Sequence, residues 1–395
     1  MAAQAHPLQV VGEDDTRSAR VSVAMLNGRR RQPLPLGLVG LGVLLVTLLA
    51  SLGGSAGSAV AAPGSDRFWA GLPYAGEFGA PSIIKEGSVY YAYATNLDGN
   101  NLPVMTSTDL VTWSARAPWP VETGYSGWAG YNDAMPFPAP WAARLPPNGK
   151  PGVWSPAVVK LAGRYVNAYA VQTSRRSNRH CLTLATSALP DGPFVDVSAG
   201  PLYCSSDPMG SIDPAWLVRK GRVYLLWKNA GVPGKKPTQV VAQQMTSDGL
   251  AFAPGTVPTV LLSTAEAWEG NVIEAPSPIV YDGRLYLFYS GNRYVTSKYA
   301  IGYAVCKKPL GPCERVASEP LLASDGVVAG PGAQTPVVDA AGRLRLAYSA
   351  WRAGRVGYQS PTRCRSTAVG CNQRRLYVAT LRARADGTLK VTDPH

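Results

Sequence analysis

Between residues 80 and 351, one pattern recurs five times: a proline, a short apolar run, a glycine turn and a tyrosine-rich apolar run. The copies are APSIIKEGSVYYAYATN from Ala80, SPAVVKLAGRYVNAYA from Ser155, DPAWLVRKGRVYLLWKN from Asp213, APSPIVYDGRLYLFYSGN from Ala275 and TPVVDAAGRLRLAYSAW from Thr335. Apolar runs bounded by glycine read as strands, and each pair reads as an antiparallel hairpin. The prolines, Pro81, Pro156, Pro214, Pro276 and Pro336, are spaced by 75, 58, 62 and 60 residues. Downstream of the first four comes a third strand running into a turn: MTSTDLVTW, LATSALPDGPF, QQMTSDGLAF and AVCKKPLGPCER. The fifth continues through RRLYVATLRARADG. About four antiparallel strands per unit cannot bury their own sheet, so the units must stack. Radial closure predicts an all-β fold, a five-bladed β-propeller around a central channel. Proline is tolerated at the head of a strand and pushes its predecessor toward extended geometry. Ala80, Ser155, Asp213, Ala275 and Thr335 are therefore expected at equivalent places where the inner strands meet the channel. Glu274 stands one residue further back in the fourth unit.

Ahead of the repeats, a polar stretch ends in Arg29, Arg30 and Arg31, Leu34 to Leu52 is almost entirely apolar, and Ala59-Val60-Ala61 closes the segment. This order predicts a leader over residues 1–61, either a secretory signal peptide with an A-x-A cleavage site or an uncleaved membrane anchor. Residues 62–395 then form a single propeller domain, outside the cell or anchored to the outer face of its membrane. All six cysteines follow the leader and fall into near neighbours, Cys181 with Cys204, Cys306 with Cys313 and Cys364 with Cys371. An even count in an exported chain predicts disulfides, here sequence-local ones. The net charge of +13 is scattered in small groups without a basic helix or an aromatic RNA-binding signature, so it reads as a solvated surface and not a nucleic-acid site. Charged residues, at 16%, are sparse, and there are only three histidines. His180 is the one placed for chemistry, which argues against a Ser-His-Asp triad or a multi-histidine zinc site. Its position before Cys181, away from the pre-proline sites, reads as structural or exposed.

SIDPAW around Asp213, WEGNVIEAPS around Glu274, WSPAVVK with Trp154, GPGAQ from Gly330 to Gln334 and YSAW from Tyr348 to Trp351 together resemble glycoside hydrolase family 43 over about residues 67–390. These are five-bladed propellers acting on arabinan, xylan and related sugars. The resemblance implies an exported hydrolase, a monomer, that cleaves arabinofuranosyl or xylosyl linkages of an oligo- or polysaccharide with inversion. Glu274 would be the general acid and Asp213 the residue that tunes its pKa. The chemistry stands without the family: a Glu in an apolar strand is kept protonated by desolvation and by a neighbouring ionised Asp.

Three places depart from the family pattern. The first-blade Asp that serves as general base is Ala80. The histidine that helps hold a channel cation is Ala333, which argues against a protein-ligated calcium, and no cofactor is expected. The usual YHAW reads YSAW, with Ser349. Inverting hydrolysis needs a second carboxylate, and Asp133 and Glu77 are candidate substitutes, ahead of Asp98. The insertion YSGWAGYNDAMPFPAPW offers Trp128, Tyr131, Phe137 and Trp141 as a wall for a sugar ring, with Trp154 and Trp268 in similar roles, since aromatic faces suit a sugar's CH-rich side. Arg293 is a candidate partner for sugar hydroxyls. The alternative is a sugar-binding propeller that kept the pocket and lost turnover with its base.

Overall fold

Each repeat folds as an antiparallel sheet around one axis. The computed structural model describes residues 77–96, 100–115, 133–145, 149–359 and 371–395. The expected leader, Asp98, Trp128, Tyr131 and Cys364 lie outside the described residues. Blade one is built on Ser82–Glu86, Val89–Tyr93, Val104–Ser107 and Ser114–Ala115, and blades three, four and five likewise have four strands each in chain order. Blade two has three, Val153–Leu161, Arg164–Ser174 and Ser177–Ser187. Where its fourth would lie, the chain makes only isolated bridges, Thr186 with Val195 and Leu182 with Tyr203. Among the described residues there is no α-helix, only a turn of 3-10 helix at Ala267–Glu269, and no helix is long and apolar enough to cross a membrane.

The apolar alternation of the strands fills the gaps between blades. Five buried clusters occupy the five interfaces: Tyr93, Val104 and Tyr169 between blades one and two; Val166, Leu225 and Trp227 between two and three; Leu226, Leu262 and Leu287 between three and four; Phe288, Leu346 and Tyr348 between four and five; and Phe78, Tyr90, Ala347 and Val378 between five and one. The last of these closes the ring, helped by Phe78 N donating to Arg374 O at 2.7 Å and by Thr335 Oγ1 donating to Pro81 O. Cys181 is bonded to Cys204 and Cys306 to Cys313, as their local spacing suggests. The first ties the third strand of blade two to the loop entering blade three, and the second clips the outer hairpin of blade four.

A charged group holds the approach to blade four. Glu269 is fully buried, and its Oε1 accepts from Tyr289 OH and Arg315 Nε, both at 2.7 Å, while Oε2 accepts from Ala265 N at 2.7 Å. Removing one partner of a buried ion pair strands the other. Glu269→Ala is therefore expected to lower the unfolding free energy by about 3–5 kcal/mol, read as a fall in the denaturant midpoint, with Glu269→Gln falling less.

Candidate active site

The inner strands deliver the site through a shared irregularity. Pairing breaks between Trp154 and Ala157, Ile212 and Ala215, Glu274 and Ser277, and Gly332 and Thr335. Inside these bulges Ser155, Asp213, Ala275 and Ala333 have φ of 49°, 55°, 51° and 50°, and Ala80 has 51° at the same place in blade one. The expected extended geometry is thus corrected. In blades one to four the residue before the proline, and in blade five Ala333, is turned into positive φ, a conformation that costs a non-glycine residue on the order of 1–3 kcal/mol, and all five line the axial channel. Thr335 is corrected too. Thr335 and Pro336 pair across to Ala347 and Leu346 as Ser277 and Pro278 pair to Phe288 and Leu287. Ala333 is therefore the fifth equivalent residue, and Gln334 occupies the place of the proline.

Opening from that channel is a cavity of ≈ 210 Å³, lined among others by Ala80, Trp154, Asp213, Glu274, Tyr299 and Arg374. Asp213 joins three blades: its Oδ1 accepts from Ser155 Oγ of blade two and its Oδ2 from Ala275 N of blade four at 2.9 Å. Glu274 accepts from Lys228 Nζ at Oε2 and from Tyr299 OH at Oε1, both at 2.7 Å. Burial, and then the negative charge of Glu274, push the Asp213 carboxyl up to about 6. Burial alone would lower the Lys228 pKa, but the charges of Glu274 and Asp213 outweigh it and raise it, so the ammonium is retained. Burial and the Glu274 charge keep Tyr299 protonated as a donor. Tyr299 reaches Glu274 only because residue 332 is glycine, since a Cβ there would stand 2.0 Å from Tyr299 Cε1.

Of the aromatic candidates, Trp154 lines the cavity, backed by the fully buried His180 ring stacked at 3.9 Å between centroids. Desolvation lowers His180 to about 4, and its Nδ1–H donates to Asn178 O. Trp268 packs instead against Tyr289 in the core between blades three and four, and Trp141 bonds Ser198 Oγ at 2.9 Å beside the core between blades one and two. Phe137 bridges to Val195, and Arg293 is exposed; neither lines the cavity. The two candidate substitute bases are also engaged elsewhere. Asp133 is buried, accepting from the main-chain N of Asn101, Leu102 and Met135 at 2.9 to 3.0 Å, which ties a loop of blade one to the chain entering blade two. Glu77 is buried, accepting from Tyr358 OH and Arg374 N, both at 2.7 Å. Neither lines the cavity. For a channel calcium the axis offers little: Ala80, Ala275 and Ala333 bring only methyls, both Asp213 oxygens already accept hydrogen bonds, one of them from Ser155 Oγ, and among the described residues no three His, Cys, Asp or Glu side chains form a cluster.

Sequence reasoning missed Lys228, Tyr299, Tyr294, Tyr358 and Arg374. A signal existed for Lys228, a cation inside the apolar strand LLWKN, which burial obliges to find a counterion.

The fold is a five-bladed β-propeller, with the Asp213–Glu274 pair at the axial end of a cavity that Trp154 lines. Residues 74–369 match the model for glycosyl hydrolases family 43, so the chain belongs to that family and is a glycoside hydrolase by membership. It is 26% identical over 283 residues to an extracellular endo-alpha-(1->5)-L-arabinanase of Bacillus subtilis (strain 168), covering 68% of this chain and 80% of that protein. It is 25% identical over 265 residues to an arabinoxylan arabinofuranohydrolase of Paenibacillus polymyxa, covering 58% of this chain and 38% of that longer one. Among solved structures, a thermostable family-43 glycoside hydrolase superposes with a TM-score of 0.62 at 24% identity, over 82% of this chain and 95% of that one.

A carboxyl whose pKa is raised in the folded state favours folding while protonated and opposes it once ionised. The contribution of Asp213 is therefore lost as pH rises through about 6. Asp213→Asn, which keeps an acceptor for Ala275 N, is expected to melt higher than the parent above that pH, by an amount on the order of 2 kcal/mol. The difference should close below it in a series of thermal unfolding curves.

Proposed function

We propose that this chain is an exported hydrolase of arabinan- or arabinoxylan-type polysaccharides, cleaving arabinofuranosyl or xylosyl linkages by acid/base hydrolysis with inversion. The observation that carries the reading is the Asp213–Glu274 pair at the axial end of a cavity walled by Trp154. The proton of the site is held at Asp213, whose carboxyl burial and the Glu274 charge push up to about 6. Glu274 delivers it to the glycosidic oxygen as the C–O bond breaks, while Asp213 tunes that delivery. Lys228 and Tyr299 fix the orientation of Glu274, and Lys228 stabilises the carboxylate left behind. Water attacks the anomeric carbon from the opposite side, where Ala80 offers a methyl in place of a base. Loss of a general base forfeits roughly 10²- to 10⁴-fold in rate, so turnover by the chain alone is slow. The sequence likeness to an arabinanase and to an arabinoxylan hydrolase supports the pentosyl choice, and the apolar run from Leu34 to Leu52 closed by Ala59-Val60-Ala61 supports export, as a signal peptide or as an anchor.

One observation favours a second reading, a carbohydrate-binding propeller without turnover: Ala80 at the base position, with Glu77 and Asp133 both engaged in structural hydrogen bonds.

The test is incubation with arabinan, arabinoxylan and aryl arabinofuranosides. Slow release is expected, falling to background in Glu274→Gln, unaffected in rate per folded molecule by Asp133→Asn, and declining as pH rises through about 6. Release no faster than that of Glu274→Gln overturns the hydrolase reading. Calorimetric oligosaccharide binding that is lost in Trp154→Ala, without turnover, supports the second.

A further inference from the structure

We propose that the cavity takes a carboxylate from outside the chain, seated beside Ala80 and held by the guanidinium of Arg374. Of the five equivalent inner-strand residues, blade three presents the carboxylate of Asp213 and blade one only a methyl, with nearly the same φ, 55° against 51°. Ala80 lines both the axial channel and the cavity, so the space it leaves is open to a ligand.

The group facing that space is unusual. Arg374 is only 9% exposed and lines the cavity, and its Nη2 lies where a Cβ on Gly79 would come within 2.1 Å, immediately beside residue 80. Its Nε bonds Tyr358 OH at 2.9 Å and, more loosely, Glu77 Oε1 at 3.4 Å. The rings of Tyr294 and Tyr358 lie 4.9 and 5.7 Å from the guanidinium carbon. Among the described residues, none is hydrogen-bonded to Nη1 or Nη2. A buried guanidinium fork with its two terminal nitrogens unengaged is matched by a carboxylate, which accepts two parallel hydrogen bonds where a sugar hydroxyl accepts one.

The other charges permit it. Glu274 is countered by Lys228, and Asp213 is neutral below about 6, so an anion meets least repulsion at mildly acidic pH. The carboxylate can come from a free small acid or from a uronosyl group on the glycan.

The inference deepens the hydrolase reading by supplying its absent base. The guest carboxylate removes a proton from water as the water oxygen bonds to the anomeric carbon. The glycosidic C–O bond breaks with proton transfer from Glu274, and the guest leaves as a carboxylic acid that returns its proton to solvent.

The test uses the purified propeller below the Asp213 pKa, titrated with acetate, formate and galacturonate, and with acetamide and galactose as neutral counterparts. Calorimetry is expected to show saturable binding of the acids alone, weakened about tenfold or more in Arg374→Lys, which keeps the charge and loses the fork. Ala80→Asp suits this backbone, since Asp213 holds the same conformation. It is expected to abolish acetate binding and to melt above Ala80→Asn, which fills the same volume without charge. Turnover of an aryl arabinofuranoside should rise with acetate on the order of 10²-fold, the low end of what a positioned base supplies, with half-saturation at the calorimetric affinity. Binding of galacturonate well ahead of acetate and formate assigns the site to the glycan's own acid, and comparable binding of all three assigns it to a free one. Failure of every acid to bind the parent, or equal binding by parent and Ala80→Asp, overturns the inference. Binding without any turnover leaves the carboxylate site standing and removes the hydrolase reading, while acid-independent turnover with no binding does the reverse.

Discussion

No blade of this protein can cover its own faces, and that constraint organises everything else. A twisted sheet of three or four short strands has two apolar sides, and only neighbours can bury both. The five clusters lie between blades and not within them, so each blade supplies half of two cores. Closing the circle between Phe78 and Val378 removes the last exposed face. The same closure brings blades two, three and four close enough at the axis for Asp213 to accept from both Ser155 and Ala275, though each lies about sixty residues away in sequence.

The axial bulges follow from how closely the inner strands converge. Five strands running straight through would crowd their side chains at the axis, and a bulge at positive φ turns one small or acidic residue per blade inward while the strand bends away. Four of the five are Ala or Ser. The fifth, Asp213, is tolerated because it satisfies main-chain and hydroxyl donors from both neighbouring blades, so the acidic group is at once part of the chemistry and a fastener of the ring. The strain and the raised pKa are two costs of one placement, offset by the packing around it.

Much of this was legible in the chain. The proline, glycine and tyrosine punctuation is local turn and strand chemistry, and it yields five blades and places Asp213 and Glu274 near the axis. The fifth copy slipped by two residues because Gln334 stands where the others have proline, while Pro336 matches the second proline of APSP. What was illegible depends on distant partners. Nothing local in EFGAP says that Glu77 is held by Arg374, almost three hundred residues away, or in YNDAM that Asp133 caps the amides of Asn101 and Leu102. Tyr299 comes from a loop, and only the closeness of Gly332 lets it reach Glu274. Trp268 carries a motif yet is core, whereas Trp154, in a similar motif, faces the cavity, because their partners differ: Tyr289 for one, His180 for the other.

The imidazole behind Trp154 has an effect of its own. His180 stays uncharged in the folded chain down to about 4, whereas an unfolded chain would protonate it near 6.5. Its contribution to folding therefore erodes as acidity increases across that interval, opposite in sense to that of Asp213, and an imidazolium formed there would be a desolvated cation without a counter-charge. The indole plate thus rests on a neutral cushion whose integrity sets an acid floor for the molecule, while the ionising aspartate sets a gentler ceiling. Between the two lies a narrow, mildly sour range in which platform and proton donor are both ready.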